Sequence, residues 1–125
     1  MVIMENKISK FIGSLFHSRT QAHIYHLQTD SFAVHMALGG YYEGIVPLID
    51  SLVESYQSSN NIVRNYSSTT FKDFVGTEAI IYYFNNLLKD IESNREEFKG
   101  TDLQNIIDEI VSLIKGTLYK LKHLK

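Results

Sequence analysis

The chain contains no cysteine. That one absence excludes disulfides, thiolate metal sites and cysteine nucleophiles, and it is compatible with a reducing compartment. Tryptophan is also missing, and there is a single proline, Pro47, in 125 residues. Together with the scarcity of long polar stretches, this points to an all-α protein. No apolar run approaches the ~18 residues of a membrane span. The N-terminal MVIMENKISK lacks the long apolar stretch of a signal peptide. The expectation is a cytoplasmic protein with no membrane partner. The net charge of −2 supplies no broad pull toward nucleic acid. No glycine-rich phosphate loop is present, because Gly39, Gly40 and Gly44 fall inside a helical pattern and not after a strand. Nothing marks a nucleophile elbow either.

What is present is one domain, residues 1–125, long enough to bury roughly two-thirds of its unfolded surface. A first helix is predicted from about Asn6 to Leu27, with Ile8, Phe11, Ile12, Leu15 and Phe16 as its apolar stripe. Continuing that face places His23 and His26 on it, while His17 falls on the exposed side. Thr29, Asp30 and Ser31 are good N-cap residues for a second helix from about Ser31 to Gln57. Its stripe is Leu38, Tyr42, Ile45, Ile49 and Leu52. Beside it runs a second line, His35, Gly39, Glu43, Val46, Asp50 and Glu54, spaced to share one edge of the helix. Three mid-helix glycines each cost about 1 kcal/mol relative to alanine and hint at close approach by another backbone. Pro47 should kink this helix locally.

A polar connection over residues 58–70 suits a crossover better than a tight turn. The pattern over Phe71–Val75 leaves a short helix and an extended piece equally open. A third helix starts near Thr77, read as its N-cap, carries Ile80, Phe84, Leu87, Leu88 and Ile91, and stops at Gly100. Thr101 with Gln104 fits a capping box for a fourth helix that keeps its period to Leu124. The expected fold is a ferritin-like four-helix bundle with a long connection between the second and third helices.

His23, His35, Asp50 and Glu54 are separated by 12, 15 and 4 residues. Imidazole and carboxylate together suit iron, manganese or zinc. In a hairpin that turns near residue 29, His23 and His35 are each six residues from the turn and can lie at one level. His35 and Asp50, however, are about 22 Å apart along one helix and cannot share an ion within one subunit. Two copies of the second helix, packed antiparallel about a two-fold near residues 42–45, would bring them together in two identical sites. The reading is a homo-oligomer with metal held between subunits.

The spacing His23, His35, Asp50, Glu54, with His23-Ile24-Tyr25, Phe32-Ala33-Val34-His35 and Ile49-Asp50-Ser51-Leu52-Val53-Glu54 around it, resembles the Dps family of mini-ferritins. The C-terminal Asp102-Leu103 and Lys115-Gly116-Thr117-Leu118-Tyr119 are similar to the end of that family's last helix. The resemblance implies a subunit of a hollow, dodecameric shell. It implies ferroxidase chemistry, in which Fe(II) is oxidised by peroxide or oxygen at inter-subunit sites, and iron storage inside. By carry-over, His23 and His35 come from one subunit and Asp50 and Glu54 from the next.

This chain would be a short and divergent member, with a composition that suits an AT-rich genome such as a phage's. Gly39 stands where the family usually has Asp, Ile24 where Trp is usual, and Ser55 where Arg is usual. Glu43, one turn beyond Gly39, or His26 could make good the lost carboxylate. There is no Lys-rich N-terminal tail, and the C-terminal lysines read as a solvated helix end, so DNA binding is expected to be weak or absent. The competing reading is a ferritin-like structural or assembly protein whose metal site is degenerate or purely structural.

Overall fold

A computed structural model describes the backbone of residues 2–67 and 70–125 and the side chains of residues 7–67 and 70–125. Met1, and Ser68 and Thr69 of the predicted connection, lie outside the described residues. The fold is all-α. Four helices follow one another: α1 (Val2–Gln28), α2 (Phe32–Ser59), α3 (Thr77–Asn94) and α4 (Thr101–His123), with a 3-10 turn at Arg95–Glu97. No strand occurs among the described residues, and no helix is long and apolar enough to cross a membrane.

The helices pack as a ring in the order α1, α2, α4, α3, with α3 returning to α1 through the thinnest contact. One core fills the ring. It takes Ile8, Phe11, Ile12, Leu15, Ala22 and Tyr25 from α1; Leu38, Tyr41, Ile45, Ile49 and Leu52 from α2; Ile80, Phe84 and Ile91 from α3; and Ile107, Ile110 and Ile114 from α4. Phe98 closes one end, its ring 4.7 Å from Phe11 and 5.7 Å from Tyr56.

Several sequence expectations change in detail. Phe16 belongs to the predicted α1 stripe but is largely exposed. The buried line instead turns through Ser18, Gln21, Ala22 and Tyr25, because Ser18 and Gln21 find polar partners inside. On α2 the core tyrosine is Tyr41 and not Tyr42. Tyr41 is fully buried, and its hydroxyl donates to Ser18 Oγ at 2.7 Å while Ser18 donates to the Leu15 carbonyl. The α2 N-cap is Ser31, whose Oγ accepts from the Val34 amide at 3.2 Å, an arrangement worth about 1 kcal/mol. Helix α2 runs unbroken through Pro47.

The residue preceding α3 at its cap position is Gly76, with Thr77 the first helical residue. Gly100 is not a stop for α3. It opens α4 at φ +107°, where a Cβ would sit 2.8 Å from Asp102 Oδ1, a conformation glycine adopts without cost. The expected capping box of Thr101 and Gln104 does not form. Gln104 reaches back instead, donating to the carbonyls of Arg95 and Phe98 and accepting from Arg95 Nε. Arg95 also pairs with Asp108, so the α3–α4 corner is fixed by one arginine and one glutamine.

The connection after α2 has no regular element over residues 70–76. It is not helical, and α1 holds it. Gln21 donates to the Lys72 carbonyl and accepts from the Lys72 amide, at 2.9 and 2.8 Å. Gln28 accepts from the Phe74 amide and donates to Asp73 Oδ1. His17 donates from Nε2 to the Thr70 carbonyl at 2.8 Å and stacks on Phe71. His17 is therefore not a free surface histidine; it is one of three clasps that bind this strap across α1.

Candidate metal centre

The α1–α2 hairpin brings together three histidines and a tyrosine. His26 and His35 stack with ring centroids 3.6 Å apart and planes 17° from parallel. Each uses Nδ1 on the other's backbone: His26 Nδ1 to the His35 carbonyl at 2.7 Å, and His35 Nδ1 to the His26 carbonyl at 2.8 Å. A carbonyl only accepts, so both Nδ1 atoms carry the proton. In the neutral ring the lone pair then sits on Nε2, the tautomer a metal ligand needs. The same reciprocal pair also staples the hairpin, joining α1 to α2 on either side of the turn at Thr29–Ser31.

His23 does not pair with His35 as its distance from the turn led us to expect. It stacks on Tyr42, centroids 4.2 Å apart, and lies 6.0 Å from the His26 ring. Tyr42 also meets His26 edge-on at 5.2 Å. The shift by one helical turn, from His23 to His26 as the partner of His35, follows from the local geometry. The turn between helices is short, so residues nearer to it meet. Gly39 allows it, because a Cβ there would lie 3.3 Å from His26 Cε1. The ring of His26 thus occupies the space beside the position where the resembling family carries Asp. Sequence reasoning underrated His26; the signal was its i, i+3 relation to His23 together with the missing side chain at Gly39.

The carboxylates lie elsewhere on α2. Glu43, Asp50 and Glu54 are all exposed. Among the described residues, none has an ion-pair or hydrogen-bond partner for its side chain. They share an outward face with Phe32 and Met36, 77% and 57% exposed, and with Val46. Gly40 lies beside this face with nothing among the described residues within 4 Å of where a Cβ would be. One chain therefore does not bring His23 and His35 to Asp50 and Glu54, in keeping with the helix arithmetic. Among the described residues of one chain, no group of three or more potential ligands is positioned to hold a metal ion.

A second cluster, unforeseen in the sequence, surrounds His17. With Nε2–H committed to the Thr70 carbonyl, the neutral ring accepts at Nδ1 from the Tyr83 hydroxyl at 2.8 Å. Burial pushes the Tyr83 phenol well above its ordinary range, with the neighbouring Tyr41 and Tyr25 adding to the effect. Burial raises Tyr41 likewise, against a smaller opposing contribution from its bond to Ser18.

No curated protein and no solved structure matches this chain. A family model described as a family of unknown function, DUF5856, matches residues 26–121. The span opens at His26 and takes in His35, Glu43, Asp50 and Glu54 with nearly all of α2, α3 and α4; His23 lies outside it. With well over half its length matched, the chain belongs to the DUF5856 family.

Proposed function

We propose that the protein is a ferritin-like, Dps-like metal-binding protein that takes Fe(II) as substrate at sites shared between two copies. His23 and His35 of one copy would meet Asp50 and Glu54 of another, with Glu43 near the two-fold. Zinc or manganese would suit the same donors. The observation that supports this most is the outward face of α2. It carries three carboxylates without intrachain partners among the described residues, interleaved with exposed Phe32, Met36 and Val46, and His35 lies at its other end. A helix face that is imidazole at one end and acidic at the other is complementary to itself when run antiparallel. Nδ1–H on His35 leaves its Nε2 available as donor.

In this reading the protein's own residues hold and orient Fe(II), and the carboxylates offset its charge. The oxidant, peroxide or oxygen, comes from solution. Oxidised iron is then stored within a homo-oligomeric shell. The test is anaerobic Fe(II) titration of metal-free protein, then addition of oxidant while ferric absorbance and native mass are followed. Saturable binding near one or two irons per subunit in a large closed oligomer is the expected result. No binding and no oxidation above the buffer rate would reject it.

A second reading has its own support. The reciprocal bonds of His26 and His35 account for both residues as a hairpin staple without any metal. In that case the protein is a structural or assembly component with a relic site, and His35→Ala loosens the hairpin but leaves metal affinity unchanged.

A further inference from the structure

Between α1, α3 and the strap lies a cavity of about 880 Å³. It is remote in sequence from the α2 carboxylates and takes no part in the proposed metal chemistry. It exists because α1 and α3 touch least of the neighbouring helices, so the strap bridges them and does not fill the space. The volume falls within the ~300–1,000 Å³ of small-molecule sites. Its walls include Gly13 and Tyr25 of α1 and Ala79, Tyr83 and Leu87 of α3.

Tyr25 is the telling residue. It retains only 3% of its surface, yet its hydroxyl has no hydrogen-bond partner among the described residues. No fully enclosed side-chain oxygen lacks a partner there, so the little surface that Tyr25 retains includes its hydroxyl oxygen. Tyr25 lines the cavity, so its hydroxyl is the polar group that it has to offer there. A phenol so well covered, with nothing among the described residues to receive its proton, is a donor waiting for an acceptor. Asn86, also on the wall, has no side-chain partner among the described residues and offers both a donor and an acceptor. The rim carries Lys10 and Lys72 against Asp73 and Asp90, two charges of each sign, so the mouth favours no net charge. The remaining lining sets Val75, Ala79, Tyr82, Tyr83 and Leu87 among the polar Ser9, Ser14, His17, Asn65 and Ser67.

We propose that this chamber is a binding site for a small, uncharged aromatic molecule bearing a carbonyl-type acceptor, which the Tyr25 hydroxyl engages while the ring system lies against Tyr83 and Leu87. The acceptor takes the Tyr25 proton in a hydrogen bond without transfer. The flat apolar body replaces water from the floor, and Asn86 satisfies a second polar group at the edge.

Prodan, a neutral naphthyl ketone whose emission moves to the blue on leaving water, has the stated chemistry. Titrated into the full chain, it should give one saturable, blue-shifted site. Tyr25→Phe keeps the packing and removes the donor, and should weaken binding about fivefold, the worth of one net hydrogen bond. Ala79→Trp fills the chamber from α3 and should abolish binding with helix content intact by circular dichroism. Gly13→Leu does the same from α1, where, among the described residues, an added Cβ meets only Tyr66 Cδ1 at 3.9 Å. The proposal falls if binding is unsaturable, or if Tyr25→Phe and both filling variants bind as the parent does. It also falls if the site appears only on dilution of an oligomer, which would assign the chamber to a segment of a second copy.

Discussion

Sites built between copies regain capacity when His35→Ala subunits are mixed with subunits carrying Asp50→Ala and Glu54→Ala. His35 and Asp50 lie on one helix, α2, about 22 Å apart along its axis, so neither variant alone can assemble a complete ligand set. After subunits exchange at random, each site draws its imidazole half from one copy and its carboxylate half from another. Each half is intact in one case out of two, so about a quarter of the parent Fe(II) capacity should return, whatever the size of the shell. The substituted positions are exposed or half-buried, so folding should survive all three changes, within about 0.5 kcal/mol at the two carboxylates. At His35 the loss of its bond to the His26 carbonyl adds a cost on the order of 1 kcal/mol. Equilibrium dialysis under anaerobic conditions, before and after exchange, reads the result. A mixture that binds no more than the average of its two parents would refute the shared geometry, and full binding by either variant alone would refute the ligand assignment.

Three further outcomes follow from the packing. Gly40→Ala meets nothing among the described residues of one chain and should raise the melting temperature of the dilute subunit through a helix-propensity gain of up to about 1 kcal/mol. If α2 packs on a second copy, the same change should weaken the oligomer by sedimentation. Tyr41 and Tyr83 keep their protons in the fold above the ordinary 10.0 because burial penalises the phenolate. Above that pH the unfolded chain binds fewer protons, so stability should fall by about 1.4 kcal/mol per pH unit for each such tyrosine. Stability is thus complete below pH 10 and lost above it, and phenolate absorbance should rise together with unfolding. Gln21→Leu removes both bonds to the Lys72 backbone and should cost about 1–3 kcal/mol, with amide exchange at Lys72 accelerating first. Unchanged protection there would show that the strap is held by other means.

The helices were legible because the 3.6-residue period of Ile80, Phe84, Leu87 and Ile91, and of Leu103 through Leu121, leaves one apolar face to bury. Where two adjacent residues were both plausible, the period could not choose. Tyr41 and Tyr42 differ by about 100° around the helix, and the choice fell to Ser18, the polar residue opposite, which gives a buried hydroxyl its partner. The candidate site was read in part for the same reason. Periodicity placed His35, Glu43, Asp50 and Glu54 along one edge of α2. The level at which α1 meets that edge depends on the length of the turn and on space at Gly39, which a pattern of residue types does not encode. Hence His26, and not His23, stacks on His35. His17 was misread because its partners, Tyr83 and Thr70, are 66 and 53 residues away in the chain. A polar residue on an exposed arc carries no mark of a strap that returns to cover it.

The clasp that α1 places on the strap grips main-chain atoms. Gln21 and Gln28 address the amides of Lys72 and Phe74, and Gln21 and His17 the carbonyls of Lys72 and Thr70. Such a grip is blind to side-chain identity. Positions 70 and 72, both exposed, are therefore free to drift in residue type while the path of the chain stays fixed, so the chamber's covering wall can be re-lettered there without being moved; Phe74 packs on the core and stays apolar. The exception is set by the same atoms: proline at 72 or 74 has no amide hydrogen to offer. Position 72 should accept almost any residue but that one.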